Sequence, residues 1–278
     1  MSILLALGCA VAYGLSDFVG GVLSRRTSMW AVAVAAQMMA AVVTTGLALV
    51  FTGDVEPADW FWALVAGVGG GAGTVCLYRG LGSGRMGVVA PLSAVGTALV
   101  PLAVGVAAGE RPGALTWTGV VLALPAVWMV ARTPEAGPVT GSAVDDMANG
   151  LSAGLGFGVL FAALGQVPDQ AGLGPLALTQ WTAVGVTIAV ALALGAAWVP
   201  RDRAALTAAS AGVLSSAATL MFLLSTQSGL LTVAGVLAAL YPAVTVVLAA
   251  IVLREAIHRH QAVGLALTAV AVALVAAG

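Results

Sequence analysis

Apolar residues run in ten blocks, each close to the roughly 20 residues that an α-helix needs to cross a bilayer. They cover about 3–23, 30–51, 60–78, 88–108, 115–131, 147–165, 175–198, 207–224, 230–252 and 261–277. Polar residues gather between the blocks in short connections such as "SRRTS", "GERPG" and "STQSG". Such connections predict neighbouring helices that run antiparallel, with no room for an extramembrane domain. The longest polar piece, "RTPEAGPVTGSAVDD" at 132–146, is rich in Pro, Gly and acid and predicts a linker. It divides the chain into a five-helix unit at 1–131 and another at 147–278.

Composition turns these blocks into membrane spans. The 278 residues are 61% hydrophobic and 8% charged, with a mean hydropathy of +1.08, whereas soluble domains are about 25% charged. This predicts a multi-pass integral protein of the cell membrane. The formal net charge is -1 without a basic run, so nucleic acid is not an expected partner. All ten basic residues are Arg, and a phosphate-binding loop would need Lys. Cys9 and Cys76 lie within apolar blocks and read as small core residues. No cofactor or metal is expected. The expected partners are the lipid bilayer and a small-molecule substrate, with the protein a monomer or weak homodimer.

The two units resemble each other. Setting Glu110 on Glu255, an offset of 145, also aligns Gly84 with Gly229, Leu92 with Leu237, Ala94 with Ala239 and Gly119 with Gly264. With five helices in each unit, the second enters the membrane upside down, the inverted-repeat plan of many secondary transporters. Nine of the ten Arg lie in odd-numbered connections and only Arg111 in an even one. That bias places the odd loops in the cytoplasm and both termini outside. Trp30, Trp60, Trp117 and Trp198 sit near block ends as interface anchors.

The segment "LYRGLGSGRMGVVAPLSAVGTALVPLAVGVAAGERPGALTWTGVVLAL" (77–124) and its echo "GVLAALYPAVTVVLAAIVLREAIHRHQAVGLAL" (235–267) resemble the paired EamA repeats of the drug/metabolite transporter superfamily. Glu110 and Gly119 match the repeat in the first half; Pro242, Glu255 and Gly264 match it in the second. Thr97 stands where the repeat places Pro, with Pro101 one turn later, and Arg254 stands where Gly is usual. The resemblance implies a permease for small metabolites. It also implies cytoplasmic termini, opposite to the Arg bias.

Within the first block, "AVAYGLSDFVGGVL" carries a carboxylate, Asp17, about 6 Å from the helix centre at ~1.5 Å per residue. A charge there costs ~2.5 to 3.5 kcal/mol on insertion scales. Its neighbours at i-4, i+3 and i+4 are Tyr13, Gly20 and Gly21, a small and polar face that must look into the bundle. Asp17 is either a hydrogen-bonded tie between helices or a proton- or cation-binding group on the transport path. Its position also resembles the first-helix acid of the small multidrug resistance transporters.

Tyr241-Pro242 falls at the centre of the ninth block, where Pro242 frees the carbonyl of Ala238; Pro101 likewise frees that of Thr97. Thr97 is the repeat mate of Pro242, and Ser93 that of Ala238, so two interrupted helices are expected to meet near the midplane around the substrate. The predicted substrate-binding set is Tyr13, Asp17, Ser93, Thr97, Phe157 and Tyr241, with Asp17 as the proton-coupling candidate. Phe157 and Phe161 share a helix face and suit stacking on a solute or core packing.

Other features read as structural. Glu110 and Glu255 each precede a helix whose dipole a carboxylate favours, and inversion sets them ~30 Å apart on opposite faces. With Pro101, Gly119, Pro242 and Gly264 they form the structural set. "GSGRMG" (82–87) matches G-x-G-x-x-G without a βαβ setting and reads as a loop. Gly67, Gly69, Gly71 and Gly73 are spaced for close helix contact. His258 and His260 lie in a basic interfacial loop.

These features predict an all-α membrane protein of ten spans in two inverted five-helix repeats. Its expected work is moving a small metabolite or drug, as an exporter, by alternating access with proton coupling at Asp17. A scaffold or channel subunit is the alternative. An intramembrane enzyme fits less well, because catalysis needs paired groups within reach, and the predicted spans hold one carboxylate and no His.

Overall fold

The computed structural model describes residues 1–24, 26–82, 86–132, 142–254 and 256–278. Ten helical spans are long and apolar enough to cross a membrane. The first seven are single helices: α1 (Ser2–Ser24), α2 (Met29–Val50), α3 (Pro57–Gly82), α4 (Met86–Ala107), α5 (Ala114–Ala131), α6 (Ala143–Leu164) and α7 (Gly174–Ala193). Span 8 is a short α8 (Arg203–Thr207) leading into α9 (Ala209–Gln227). Span 9 breaks into α10 (Leu231–Ala238) and α11 (Tyr241–Val252), and α12 (Arg259–Ala277) is span 10. Helices dominate because each one satisfies its own backbone, which lipid cannot do.

The ends differ from the sequence expectation in physical detail. Span 7 stops at Ala193 rather than near 198, and Gly195 takes the left-handed φ of 62° that ends such a turn. Trp198 therefore lies in a loop. Spans 3 and 6 begin earlier than expected, so Asp59, Asp145 and Asp146 fall in their first turns, where acids favour the helix dipole. Most of the expected linker, residues 133–141, lies outside the described residues, as do Arg25, Gly84, Arg85 and Glu255.

Packing follows an inverted two-fold plan. Span 6 packs on spans 3 and 4, as span 1 packs on spans 8 and 9; span 3 meets span 7 as span 8 meets span 2. Spans 2 and 7, 4 and 9, and 5 and 10 meet their own mates. Two glycines of the repeat serve the last contact reciprocally. A Cβ on Gly119 would lie 2.7 Å from the Ala271 carbonyl of α12, and one on Gly264 would lie 2.9 Å from Val130 N of α5. The α3 glycines divide their work, with Gly67 and Gly71 against α7 and Gly69 and Gly73 against α6.

The loops obey the same plan. On the even-loop face, Asp54 N donates to Gln170 O at 2.8 Å and Leu173 N to Phe51 O at 3.1 Å, joining loop 2 to loop 6. The two-fold mate on the odd-loop face joins loop 1 to loop 7, where Thr27 Oγ1 donates to Asp202 Oδ2 and Ser28 Oγ to Ala197 O. The Thr27 hydroxyl and the Ala205 amide, which Asp202 caps, together hold the Asp202 carboxyl below the ordinary carboxylate value. Gly109 and its mate Arg254 both adopt left-handed backbone, at φ 97° and 58°. This is the reason Gly suits that position of the repeat.

Candidate functional site: an acidic hollow between the halves

Eight of the ten spans build the site. Glycine at the α3 interfaces and Ala-rich faces elsewhere let backbones approach closely, and where larger side chains turn inward a cavity of about 180 Å³ remains. Tyr13, Ser16 and Asp17 face it from α1, Gln37 from α2, Gly70 and Thr74 from α3, and Thr97 from α4. The second half supplies Phe157 and Phe161 from α6, Gln180 from α7, Thr219 from α9 and Tyr241 from the start of α11. On α1 and α3 the lining runs from midspan toward the ends joined by loops 1 and 3, reaching Asp17 and Leu77. The hollow therefore extends toward the odd-loop face.

Among the described residues, Asp17 is the one carboxylate on this wall, and no Arg or His lines it. The residue is exposed, with its carboxylate turned to the hollow, and among the described residues it accepts no hydrogen bond. A tie between helices would require one. Of the face expected to look inward, Tyr13 and Asp17 line the hollow, whereas nothing packs on Gly20 or Gly21 and Gly21 is exposed. The aromatic rings gather beside it: Tyr13 meets Phe161 edge-on at 5.8 Å between centroids and Tyr241 at 6.4 Å. Phe161 in turn stacks at 4.3 Å on the fully buried Phe222, which fixes the cluster to α9.

The Ser and Thr hydroxyls on the wall spend their protons on backbone carbonyls. Ser16 donates to Ala211 O, Thr97 to Ser93 O, Thr74 to Gly70 O and Thr219 to Ser215 O. The amide Nε2 of Gln37 reaches Thr74 Oγ1 at 3.3 Å, and that of Gln180 reaches Thr219 Oγ1 at 3.0 Å. Gln37 Oε1 is buried without a partner, and Gln180 Oε1 accepts no bond among the described residues.

Of the predicted set, Tyr13, Asp17, Thr97, Phe157 and Tyr241 come together around the hollow, and Phe161 joins them. Ser93 does not. It is fully buried one turn before Thr97, off the cavity wall, where its Oγ has no partner. Gln37, Gln180, Thr74 and Thr219 were absent from the sequence prediction. The only signal was two amides inside apolar blocks, and such groups face the interior of a bundle.

The expected pair of interrupted helices is also corrected, because only span 9 breaks. Pro242 sits in the first turn of α11, where it needs no donor, and the chain turns at Ala239 and Leu240. The Ala238 carbonyl thus belongs to a helix end. In span 4, α4 runs unbroken through Pro91 and Pro101, with the Pro101 ring against Gly235 of α10.

Glu110 has a different partner from the one its position suggested. It caps no dipole of the helix that follows it. Its Oε1 accepts from Leu231 N at 2.6 Å and its Oε2 from Thr232 N at 2.8 Å, closing the N-terminus of α10 across the halves. His258 opens α12 in a capping box with Gln261, and His260 bonds Arg132 O at 3.0 Å. Cys9 and Cys76 are free thiols.

Ten helical spans in two inverted halves, with a hollow of polar and aromatic side chains between them, define a multi-pass membrane protein. The profile of the EamA-like transporter family matches residues 1–132 and 148–277. The chain belongs to this family. One solved crystal structure, described only as that of a protein, superposes with a TM-score of 0.79 at 13% identity, covering 98% of this chain and 94% of that one; the likeness is one of fold. No curated protein sequence matches the chain.

Proposed function

We propose that this protein is a permease of the cell membrane that exports a small organic solute by alternating access, with Asp17 as the group that exchanges a proton during the cycle. One observation carries the reading: a carboxylate without a hydrogen-bond partner among the described residues, on the wall of a cavity that both inverted halves line. A group needed only for folding would be tied down, since an intramembrane charge is costly. Rocking of one half against the other would move the opening from the odd-loop face to the even-loop face while the site stays near the midplane. The protein acts as a monomer or weak homodimer, its partners being lipid and solute, with no nucleic acid. It is not an enzyme in this reading, because the described wall offers no second carboxylate, His or Cys beside Asp17 to divide acid and base roles.

Comparing metabolites in the medium of cells that overproduce the protein, lack it, or carry Asp17→Asn tests the proposal. At least one solute should rise outside with the wild type and fall with Asn at equal membrane abundance. Unchanged media across all three strains would refute the carrier reading.

A further inference from the structure

A second cavity, a groove of about 260 Å³, lies apart from the hollow at the odd-loop ends of α1, α8, α9 and α11. Phe18, Val19, Val22 and Leu23 of α1 line it. Phe18 and Val22 lie on the face opposite the one that brings Tyr13, Ser16 and Asp17 to the hollow. Val252 and Leu253 on the rim are exposed, so the groove opens outward to lipid. Thr207 and Ser210 complete it, and their hydroxyls already donate to the Ala204 and Thr207 carbonyls. The groove therefore presents no free donor and suits a hydrocarbon chain. Protein fills the two-fold counterpart of this space but not the groove itself. At the matching end of α6, Ala163, Leu164 and Val167 keep at most 2% of their surface accessible, whereas all four α1 residues are partly exposed. A Cβ on Gly20 or Gly21 would meet nothing within 4 Å, so the end of α1 is thinly packed on its other side as well.

Charge is asymmetric at the same place. Arg254 directly follows Leu253 with a left-handed φ of 58°, while its mate Gly109, at φ 97°, carries no side chain. A backbone that disfavours a Cβ thus keeps a long cationic side chain only on the face where the groove opens. Arg26 is held near the same rim by a turn, its N–H donating to Leu23 O at 2.9 Å, and Arg203 lies one turn before Thr207 on α8. These three arginines are exposed, and among the described residues none has a carboxylate partner. Around the rim the sequence sets Arg25, Arg26, Arg201, Arg203 and Arg254 against Asp202 and Glu255. Asp202 already accepts from the Thr27 hydroxyl and the Ala205 amide.

We propose that the groove binds one anionic phospholipid, with an acyl chain along Phe18, Val22 and Leu253 and the headgroup phosphate held by Arg26, Arg203 and Arg254. Basic pockets between helices at a membrane face recognise such headgroups. The chain supplies the packing that α1 lacks behind its last turns and steadies the helix that carries Asp17. A zwitterionic lipid has the same chain and phosphate but brings a cation of its own, which the arginines repel. A soluble phosphate has the charge without the chain.

Native mass spectrometry of the purified full-length protein in detergent, titrated with palmitoyl-oleoyl phosphatidylglycerol, phosphatidylcholine of the same chains, or glycerol 3-phosphate, separates charge from chain. The first phosphatidylglycerol should bind about tenfold or more tighter than the first phosphatidylcholine, since each Arg beside an anionic headgroup is worth about a factor of five. Glycerol 3-phosphate should not displace it. Arg254→Gly should lose about fivefold of the preference yet melt no lower than wild type before lipid is added, a combination that a merely structural arginine would not give. Val22→Trp, which fills the groove, should bind the first phosphatidylglycerol no better than phosphatidylcholine and should lose the rise in melting temperature that phosphatidylglycerol gives wild type. Arg203→Gln, an exposed change, should also weaken the preference and decides the matter if the Trp variant does not fold. Equal binding of the two lipids, a preference unchanged by Arg254→Gly, displacement by glycerol 3-phosphate, or wild-type binding by Val22→Trp would each overturn the inference. So would a wild-type dimer that Val22→Trp dissociates, because a second copy of the chain would then occupy the groove. The carrier reading stands or falls separately, on the metabolite comparison.

Discussion

Glu110 offers the sharpest test of how the two halves hold together. Its two oxygens take the N–H groups of Leu231 and Thr232, residues with 5% and 0% of their surface accessible. Glu110→Ala would strand both donors, each costing about 1 to 3 kcal/mol when buried. It would also remove a charge worth about 0.3 to 1 kcal/mol at a helix N-terminus. Glu110 is half-buried, and water admitted by the truncation would recover part of this, so we expect a net loss of about 2 to 4 kcal/mol. Glu110→Gln keeps one acceptor oxygen and turns an N–H toward the other donor, so about half that loss is expected. Gly105 reports on the same contact, because a Cβ there would lie 2.4 Å from Glu110 Oε2 and 2.6 Å from Thr232 Oγ1. Gly105→Ala should displace the carboxylate and cost stability alone, yet add little in the Glu110→Ala background. Unfolding by SDS titration in mixed micelles reads all four variants against wild type. A Glu110→Ala protein as stable as wild type, or losses that simply add in the double variant, would show that the cap does not bind the halves.

Three further outcomes follow from particular positions. Gly71→Leu should lower the folded yield in membranes several-fold, since even a Cβ would lie 2.6 Å from Val186 Cβ and 2.9 Å from Ala183 O; a normal yield with export abolished would move Gly71 into the solute path. Arg254→Gly should raise stability by up to about 1 kcal/mol by relieving a left-handed side-chain-bearing residue, and a lowered melting temperature would show that the Arg side chain contributes more than its backbone costs. A reporter active only in the cytoplasm and fused after Gly278 should stay silent, as the Arg bias expects; activity would invert the orientation and with it the side to which the hollow extends.

The parts legible in the sequence are those where one residue bears a cost visible without its neighbours. The spans are of this kind, because lipid forces each helix to satisfy itself, and so is Asp17, whose charge demanded an interior face. Tyr241-Pro242 marked the break in span 9 for the same reason, since a proline cannot donate wherever it lies. Gln37, Gln180, Thr74 and Thr219 were not legible. A threonine in a helix bonds the carbonyl one turn back wherever it points, as Thr74 and Thr219 do, so its sequence position says nothing about facing a hollow. Glu110 was visible as an acid before a helix, but its true partner lies 121 residues further on and only the fold brings the two together. The unbroken α4 was misjudged because a proline inside a membrane helix either bends or breaks it according to what packs against it, and here that is Gly235.

A carrier made of two identical inverted halves would be energetically degenerate, with the forms open to either side related by the two-fold axis and equally populated when empty. This chain lifts that degeneracy at two places. One central span is broken while its mate is whole, and loop 2 joins loop 6 through backbone groups while loop 1 joins loop 7 through side-chain hydroxyls. A difference of 1.4 kcal/mol between such contacts already sets a tenfold preference. Under the rocking cycle proposed above, such a difference would keep one mouth of the empty protein open for most of the time, and the preference would be written into loops that never touch the solute.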